Sequence, residues 1–322
     1  MRKIYYNSHA GPDVYALIRD AMPPGYELAA LDSDSFDERV TKIRDCEVAI
    51  CASTPLRASL IDAAAKLELV HHQGVGYHDT VDVDALKRRG IPLALTPEGT
   101  STSVAEHTVL LMLAVCRRLP FADAELRAGR FHINALRPVS RELAGLTIGY
   151  VGMGRIAQEV AARLKPFAVR GLYCDPYSTL DTSRAEALGL HHVDSLDHLL
   201  PQADIVTLHL PLTAESRHLF NDAAFARMKP GAFLINTARG SLVDEAALLR
   251  ALACGRLSGA GLDVFESEPL GKGSPLCALA NVVLTPHISA GTRDALATKM
   301  RAVFDNVERF FRGEPLRNQV AL

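Results

Sequence analysis

The chain has 322 residues, 48% hydrophobic and 22% charged, which excludes a disordered polymer and suits two compact domains of about 100 to 200 residues each. A formal net charge of -2 supplies no long-range positive field, so nucleic acid and anionic membrane surfaces are excluded as partners. No apolar run is long enough to span a bilayer, and the start, MRKIYYNSHAGPD, lacks the apolar core of a secretion signal, so the expected location is cytoplasmic.

Short apolar runs alternate with helical patterns through the first hundred residues. Ile4 to Tyr6, Val48 to Cys51, Leu69 to His71 and Pro92 to Leu95 read as strands, and Leu56 to Leu67 and Val83 to Arg89 as helices. That rhythm predicts parallel β-α units in an open sheet. After a break at Thr96-Pro97-Glu98-Gly99, the spacing of Ser103 and Glu106 predicts a capping box that opens a long helix. Val109 to Cys116 is apolar on every side, so this helix is expected to be buried, against another domain or another subunit. A homodimer is the expected assembly.

From Leu146 the alternation restarts, with LTIGYV, LYCDP, DIVTLHLP, GAFLINTA, SGAGLDVF and NVVLTPH as strand candidates. Ala295 to Phe311 then places Met300, Val303, Phe304 and Val307 at helical spacing. It is expected to pack back onto the first domain. The fold class is therefore α/β, with two Rossmann- or flavodoxin-like parallel-sheet domains. A dinucleotide-binding domain of residues 99–289 is inserted into a discontinuous substrate domain of residues 1–98 and 290–322. Cys46, Cys51, Cys116, Cys174, Cys254 and Cys277 form neither a CxxC pair nor a zinc-ligand pattern. They read as buried thiols of a reducing compartment, and no metal is expected.

Gly152-Met153-Gly154-Arg155-Ile156-Ala157 follows an apolar strand and opens an amphipathic helix. Alone, a GxGxxA pattern is weak; in this setting it predicts a dinucleotide site. Gly152 permits the tight turn, Gly154 lets a pyrophosphate approach the backbone, and Ala157 lets the helix pack closely. Asp175, at the end of the next strand candidate, can accept both ribose hydroxyls of NAD and would repel the 2'-phosphate of NADP. The cofactor expected is NAD.

Three further segments end later strand candidates: Asn236 to Gly240, Asp263 to Pro269 and Thr285 to Ser289. In open parallel sheets ligands bind beyond such ends. Together with GMGRIA, HLPLT and Ser103 to Thr108, these segments resemble the D-isomer-specific 2-hydroxyacid dehydrogenase family over essentially the whole chain. The family includes phosphoglycerate dehydrogenases, glyoxylate and hydroxypyruvate reductases and D-lactate dehydrogenases. The resemblance implies hydride transfer between nicotinamide and C2 of a small 2-hydroxy or 2-keto acid.

By that resemblance Arg239 is the catalytic arginine, His287 the acid-base histidine and Glu268 its supporting carboxylate. Reduction of a ketone builds negative charge on oxygen, which needs a proton donor and a fixed cation. The resemblance also places Arg155 and Ile156 at the pyrophosphate, Pro211 and Ser216 along the adenosine side, Thr237 and Ala238 near the nicotinamide, and Asp263 at its carboxamide. Val75 and Gly76 of the loop Gly74 to Tyr77 would hold the substrate carboxylate through backbone N-H groups. His9, His71, His72, His107, His191 and His192 receive no role.

Departures narrow the reading. Ala52 precedes Ser53 where many relatives carry arginine, which counts against a phosphorylated substrate, although Arg57 could replace that cation. The chain ends soon after its last helix, with no room for the regulatory domain of many phosphoglycerate dehydrogenases. Glu268 stands where formate dehydrogenases carry glutamine. Two alternatives share the fold: a phosphite dehydrogenase, and an NAD-sensing binding protein resembling the C-terminal-binding-protein corepressors.

Overall fold

A computed structural model describes every residue except Ser53, so that the serine following Ala52 lies outside the described residues. The chain divides into two compact units, residues 1–100 with 291–322, and residues 101–290.

The first unit is built on a five-stranded parallel sheet of order β2-β1-β3-β4-β5. Its strands are β1 (Arg2–Tyr6), β2 (Tyr26–Ala29), β3 (Val48–Cys51), β4 (Leu69–His72) and β5 (Leu93–Leu95). The helices between them are α1 (Pro12–Ala21), α2 (Phe36–Ile43), α3 (Ala58–Ala63) and α4 (Val83–Arg89). Every residue of β3 and β4 is buried, as expected for strands covered on both faces. One face packs against α2, α3 and α4 through Ile43, Ile61 and Leu86. Helix α3 is shorter than its apolar pattern implies.

The second unit opens with α5 (Thr100–Cys116) and α6 (Leu119–Arg127). Its seven-stranded parallel sheet has the order β12-β11-β10-β9-β6-β7-β8. The strands are β6 (Thr147–Val151), β7 (Arg170–Cys174), β8 (Leu190–His192), β9 (Ile205–Leu208), β10 (Ala232–Asn236), β11 (Leu257–Leu262) and β12 (Val282–Leu284). Helices α7 (Arg155–Leu164), α8 (Thr182–Leu188), α9 (Leu196–Leu199), α10 (Asp222–Arg227) and α11 (Glu245–Ala253) connect them. The strand order reverses between β6 and β9, which puts the switch point of this sheet at the glycine loop. The last helix, α12 (Arg293–Phe311), buries Met300, Val303, Phe304 and Val307 against Ile4, Ile18 and Leu69 of the first unit.

Two strands absent from the periodicity, β2 and β8, are edge strands with few buried positions. An edge strand half in water needs no continuous apolar run, and so leaves little pattern.

The capping box is corrected. Helix α5 begins at Thr100, so Ser103 lies inside it and donates its hydroxyl to the Ser289 carbonyl at 2.6 Å. Glu106 is exposed, 3.6 Å from Arg163. A Ser-x-x-Glu spacing equals one helical turn, and nothing local separates a cap from two side chains on one face.

Within the chain α5 is buried on part of its surface only. Leu111, Met112, Val115 and Cys116 enter the second unit's core, while Leu110 and Leu113 are exposed. Among the cysteines, Cys46, Cys51 and Cys116 are buried and Cys174 partly so, but Cys254 and Cys277 are exposed. All six thiols are free. Among the described residues no helix is long and apolar enough to cross a membrane, and no cluster of three or more ligating side chains could hold a metal.

Candidate active site

Strand β6 delivers its chain into Gly152, whose φ of 88° is open to glycine and strained for other residues. A side chain there would also strike the His209 carbonyl, at 2.5 Å from the Cβ position. Gly154 is different: a Cβ at that position meets nothing within 4 Å. It caps α7 with no side-chain hydrogen bond, so the first N-H groups of the helix are not met by a capping side chain. Arg155 is exposed and Ile156 half-buried on the first turn, and Ala157 is fully buried against the sheet.

Asp175, just past β7, is turned onto this loop. One carboxylate oxygen accepts the Met153 N-H at 2.8 Å and the other the Tyr177 N-H at 2.9 Å. Glycines, helix terminus and acid thus share one end of the sheet, and these residues fit a dinucleotide with a free ribose diol. Beyond β9, Ser216 donates its hydroxyl to the Pro211 carbonyl at 2.8 Å and accepts the Thr213 N-H at 2.7 Å. The two residues expected along the adenosine side therefore close one turn.

Asn236 ends β10 and shapes the Arg239 turn. Its side-chain oxygen accepts the Ala238 N-H at 3.0 Å, and its amide donates to the Arg239 carbonyl at 2.9 Å. Thr237 is buried and meets Thr108 of α5, hydroxyl to hydroxyl, at 3.0 Å. Gly240 lies under the backbone after β11: a Cβ here would fall 1.8 Å from the Phe265 carbonyl carbon. That contact seats the Asp263–Glu268 loop directly on the Arg239 turn.

Glu268 is the meeting point. It accepts the Phe265 N-H on one oxygen at 2.9 Å, and its other oxygen lies 2.7 Å from His287 Nδ1. Partial burial alone would raise its pKa; hydrogen bonds from His287 and Phe265, with the nearby charges of His287 and Arg239, outweigh burial and hold the carboxyl below its ordinary value. An ionised carboxylate only accepts, so Nδ1 carries the proton and Nε2 is left for a reacting group. His287 adopts a φ of 53°, an uncommon conformation outside glycine that the chain sustains with an N-H bond to the Asp263 carbonyl at 2.8 Å.

Asp263 is fully buried. Its carboxylate accepts the Thr285 hydroxyl at 2.6 Å, the Ile288 N-H at 2.9 Å and the Ser289 N-H at 2.8 Å. It thus organises the His287 segment from beneath. In the first unit, Val75 is exposed on the loop after β4, and Gly76 is tied by its carbonyl to the Thr80 hydroxyl at 3.3 Å.

Residues 109–289 match the family described as D-isomer specific 2-hydroxyacid dehydrogenase, NAD binding domain. The chain belongs to the D-isomer-specific 2-hydroxyacid dehydrogenase family. It is 37% identical over 299 residues to a D-3-phosphoglycerate dehydrogenase of Archaeoglobus fulgidus, covering 92% of this chain and 56% of that one. It is 38% identical over 278 residues to a glyoxylate reductase of Korarchaeum cryptofilum, covering 85% and 82% of the two. The crystal structure of the TT0316 protein from Thermus thermophilus superposes with a TM-score of 0.86 at 35% identity, over 100% of both chains. The chain spans about half the length of the phosphoglycerate dehydrogenases it matches. The dinucleotide of this family's matched domain is NAD.

One histidine with no role legible in the sequence acquires partners in the fold. His107 of α5 has its Nε2 2.9 Å from the Thr285 hydroxyl and 3.6 Å from the Asp263 carboxylate. The part Asn236 plays in the Arg239 turn is equally silent in the sequence. Neither residue has a local signal: each is recognisable only once its partners are in place around it. His71 is a core histidine, its Nε2 accepting the Asn306 amide at 3.0 Å.

Proposed function

We propose that the protein is an NAD-dependent oxidoreductase moving a hydride between nicotinamide and C2 of a small, unphosphorylated 2-hydroxy or 2-keto acid, with D stereospecificity. The observation that carries this reading is Glu268, hydrogen-bonded to His287 and within electrostatic reach of Arg239. Bound NAD supplies the hydride acceptor or donor. In the reducing direction His287 gives its Nε2 proton to the carbonyl oxygen, and Glu268 stabilises the imidazolium and fixes the ring. Arg239 binds the same oxygen and the substrate carboxylate through its planar fork.

Gly152, Gly154, Arg155 and Ile156 would hold the pyrophosphate, Asp175 the ribose diol, Pro211 and Ser216 the adenosine side, and Thr237, Ala238 and Asp263 the nicotinamide. Asp175 favours NAD over NADP by repelling a 2'-phosphate. Val75 and Gly76 are assigned to the substrate carboxylate. Ala52, in place of a cation, favours a substrate without a phosphate.

A homodimer is proposed from residues 110–139. Leu110, Leu113, Leu119, Leu126, Phe131, Ile133 and Val139 are all exposed, and α6 buries no residue within its own chain. Six free cysteines accord with a reducing, cytoplasmic setting. The test is NADH oxidation across glyoxylate, hydroxypyruvate, pyruvate, and branched and aromatic keto acids. Arg239→Ala and His287→Ala are each expected to lower kcat by about 100- to 10,000-fold. Turnover unchanged in both would refute the assignment.

A further inference from the structure

Helix α5 is apolar over its second half, yet its first half presents Ser103, His107 and Thr108 to the segments that follow β10 and β12. Ser103 reaches the Ser289 carbonyl, Thr108 reaches Thr237, and His107 reaches Thr285. The last contact has a fixed direction. Thr285 donates its hydroxyl across 2.6 Å to the buried Asp263 carboxylate, which also accepts the N-H groups of Ile288 and Ser289. The Thr285 oxygen then accepts from its other neighbour, His107 Nε2-H, at 2.9 Å.

The result is a relay of donors, His107 to Thr285 to Asp263, ending on a carboxylate that also binds both backbone N-H groups following His287. The Asp263 carbonyl takes the N-H of His287 itself. A buried carboxylate is costly unless its acceptor sites are filled, and the orientation of each donor then constrains the next.

We infer that His107 is a positioning residue: through Thr285 it orients Asp263, and Asp263 holds the 285–289 segment so that the His287 ring keeps its pairing with Glu268. The contacts of His107 are to Thr285 and Asp263. The inference rests on the proposed role of His287, and its test separates the two.

His107→Leu removes the donor at similar volume, and His107→Gln returns an N-H near the Nε2 position. With Leu, kcat is expected to fall about 10- to 100-fold, as for a misplaced reacting group, with the keto-acid KM unchanged. With Gln, kcat stays within about threefold of native, since the hydrogen bond is retained. The independent readout is the proton NMR signal of the His287 ring in protein without cofactor, assigned by its loss in His287→Ala. It is expected to be single in native and His107→Gln protein and broadened or doubled in His107→Leu.

A folded His107→Leu protein with native kcat and a single His287 signal overturns the inference, as does a Gln variant as impaired as Leu. If His107→Leu does not fold, Thr285→Val against Thr285→Ser makes the same comparison, with Ser native-like and Val impaired. Equal behaviour of those two overturns the inference. Arg239→Ala and His287→Ala run in parallel: native turnover in both removes the proposed reaction, while their loss beside an unaffected His107→Leu removes only the relay.

Discussion

His71 shows how one buried side chain couples stability to pH. It is fully buried in β4, accepts the Asn306 amide at Nε2, and burial lowers its pKa to about 3. The unfolded chain binds this proton near pH 6.5 and the folded chain does not, so stability falls as pH drops from about 6.5 toward 3, with a slope of about 1.4 kcal/mol per pH unit. Urea titrations at several pH values should show this limb, and His71→Gln should remove its share of it. Glu268 acts in the same direction for a different reason. Its folded pKa is depressed, so the stabilisation from its partners is present above the ordinary carboxylate range and lost as pH falls through the lowered value. The melting-temperature difference between native protein and Glu268→Gln should therefore be larger at pH 6 than at pH 3.

At the scale of elements, the site depends on two loops lying against each other. Gly240, after the Arg239 turn, is in contact with the backbone of the loop that carries Glu268. Backbone cannot rotate aside as a flexible side chain can. Gly240→Ala is expected to cost about 3 kcal/mol, measured by urea denaturation, and to lower kcat more than Ala substitution at an exposed loop glycine such as Gly273. Helix α5 has a comparable double character. Its apolar residues anchor it to the second unit's core, and its polar residues reach Ser289, Thr285 and Thr237.

At the scale of the whole molecule, the seven exposed apolar side chains between Leu110 and Val139 set the expected assembly. Leu113→Asp with Leu126→Asp places charge in that surface. Sedimentation velocity should show native protein as a dimer and the double variant as a monomer with an intact cooperative melt. A monomeric native protein at micromolar concentration would refute the dimer.

The sequence by itself determined the α/β class and the strands buried on both faces, because such strands are mainly apolar. It also determined the glycine turn after β6, because the crowding at Gly152 admits no side chain. The chemistry-bearing segments around Arg239, Glu268 and His287 were legible for a related reason: each sits at the end of an apolar strand, where a polar or charged residue stands out. Tertiary structure alone decided that Ser103 ties to Ser289 and does not cap a helix, that Cys254 and Cys277 face solvent, and that His107 stands beside Thr285. Those outcomes depend on how α5 and the later loops are oriented on the sheet, which brings together residues nearly two hundred positions apart. Local spacing records which face of an element is apolar, but the partner of a polar side chain is chosen by packing of the whole unit.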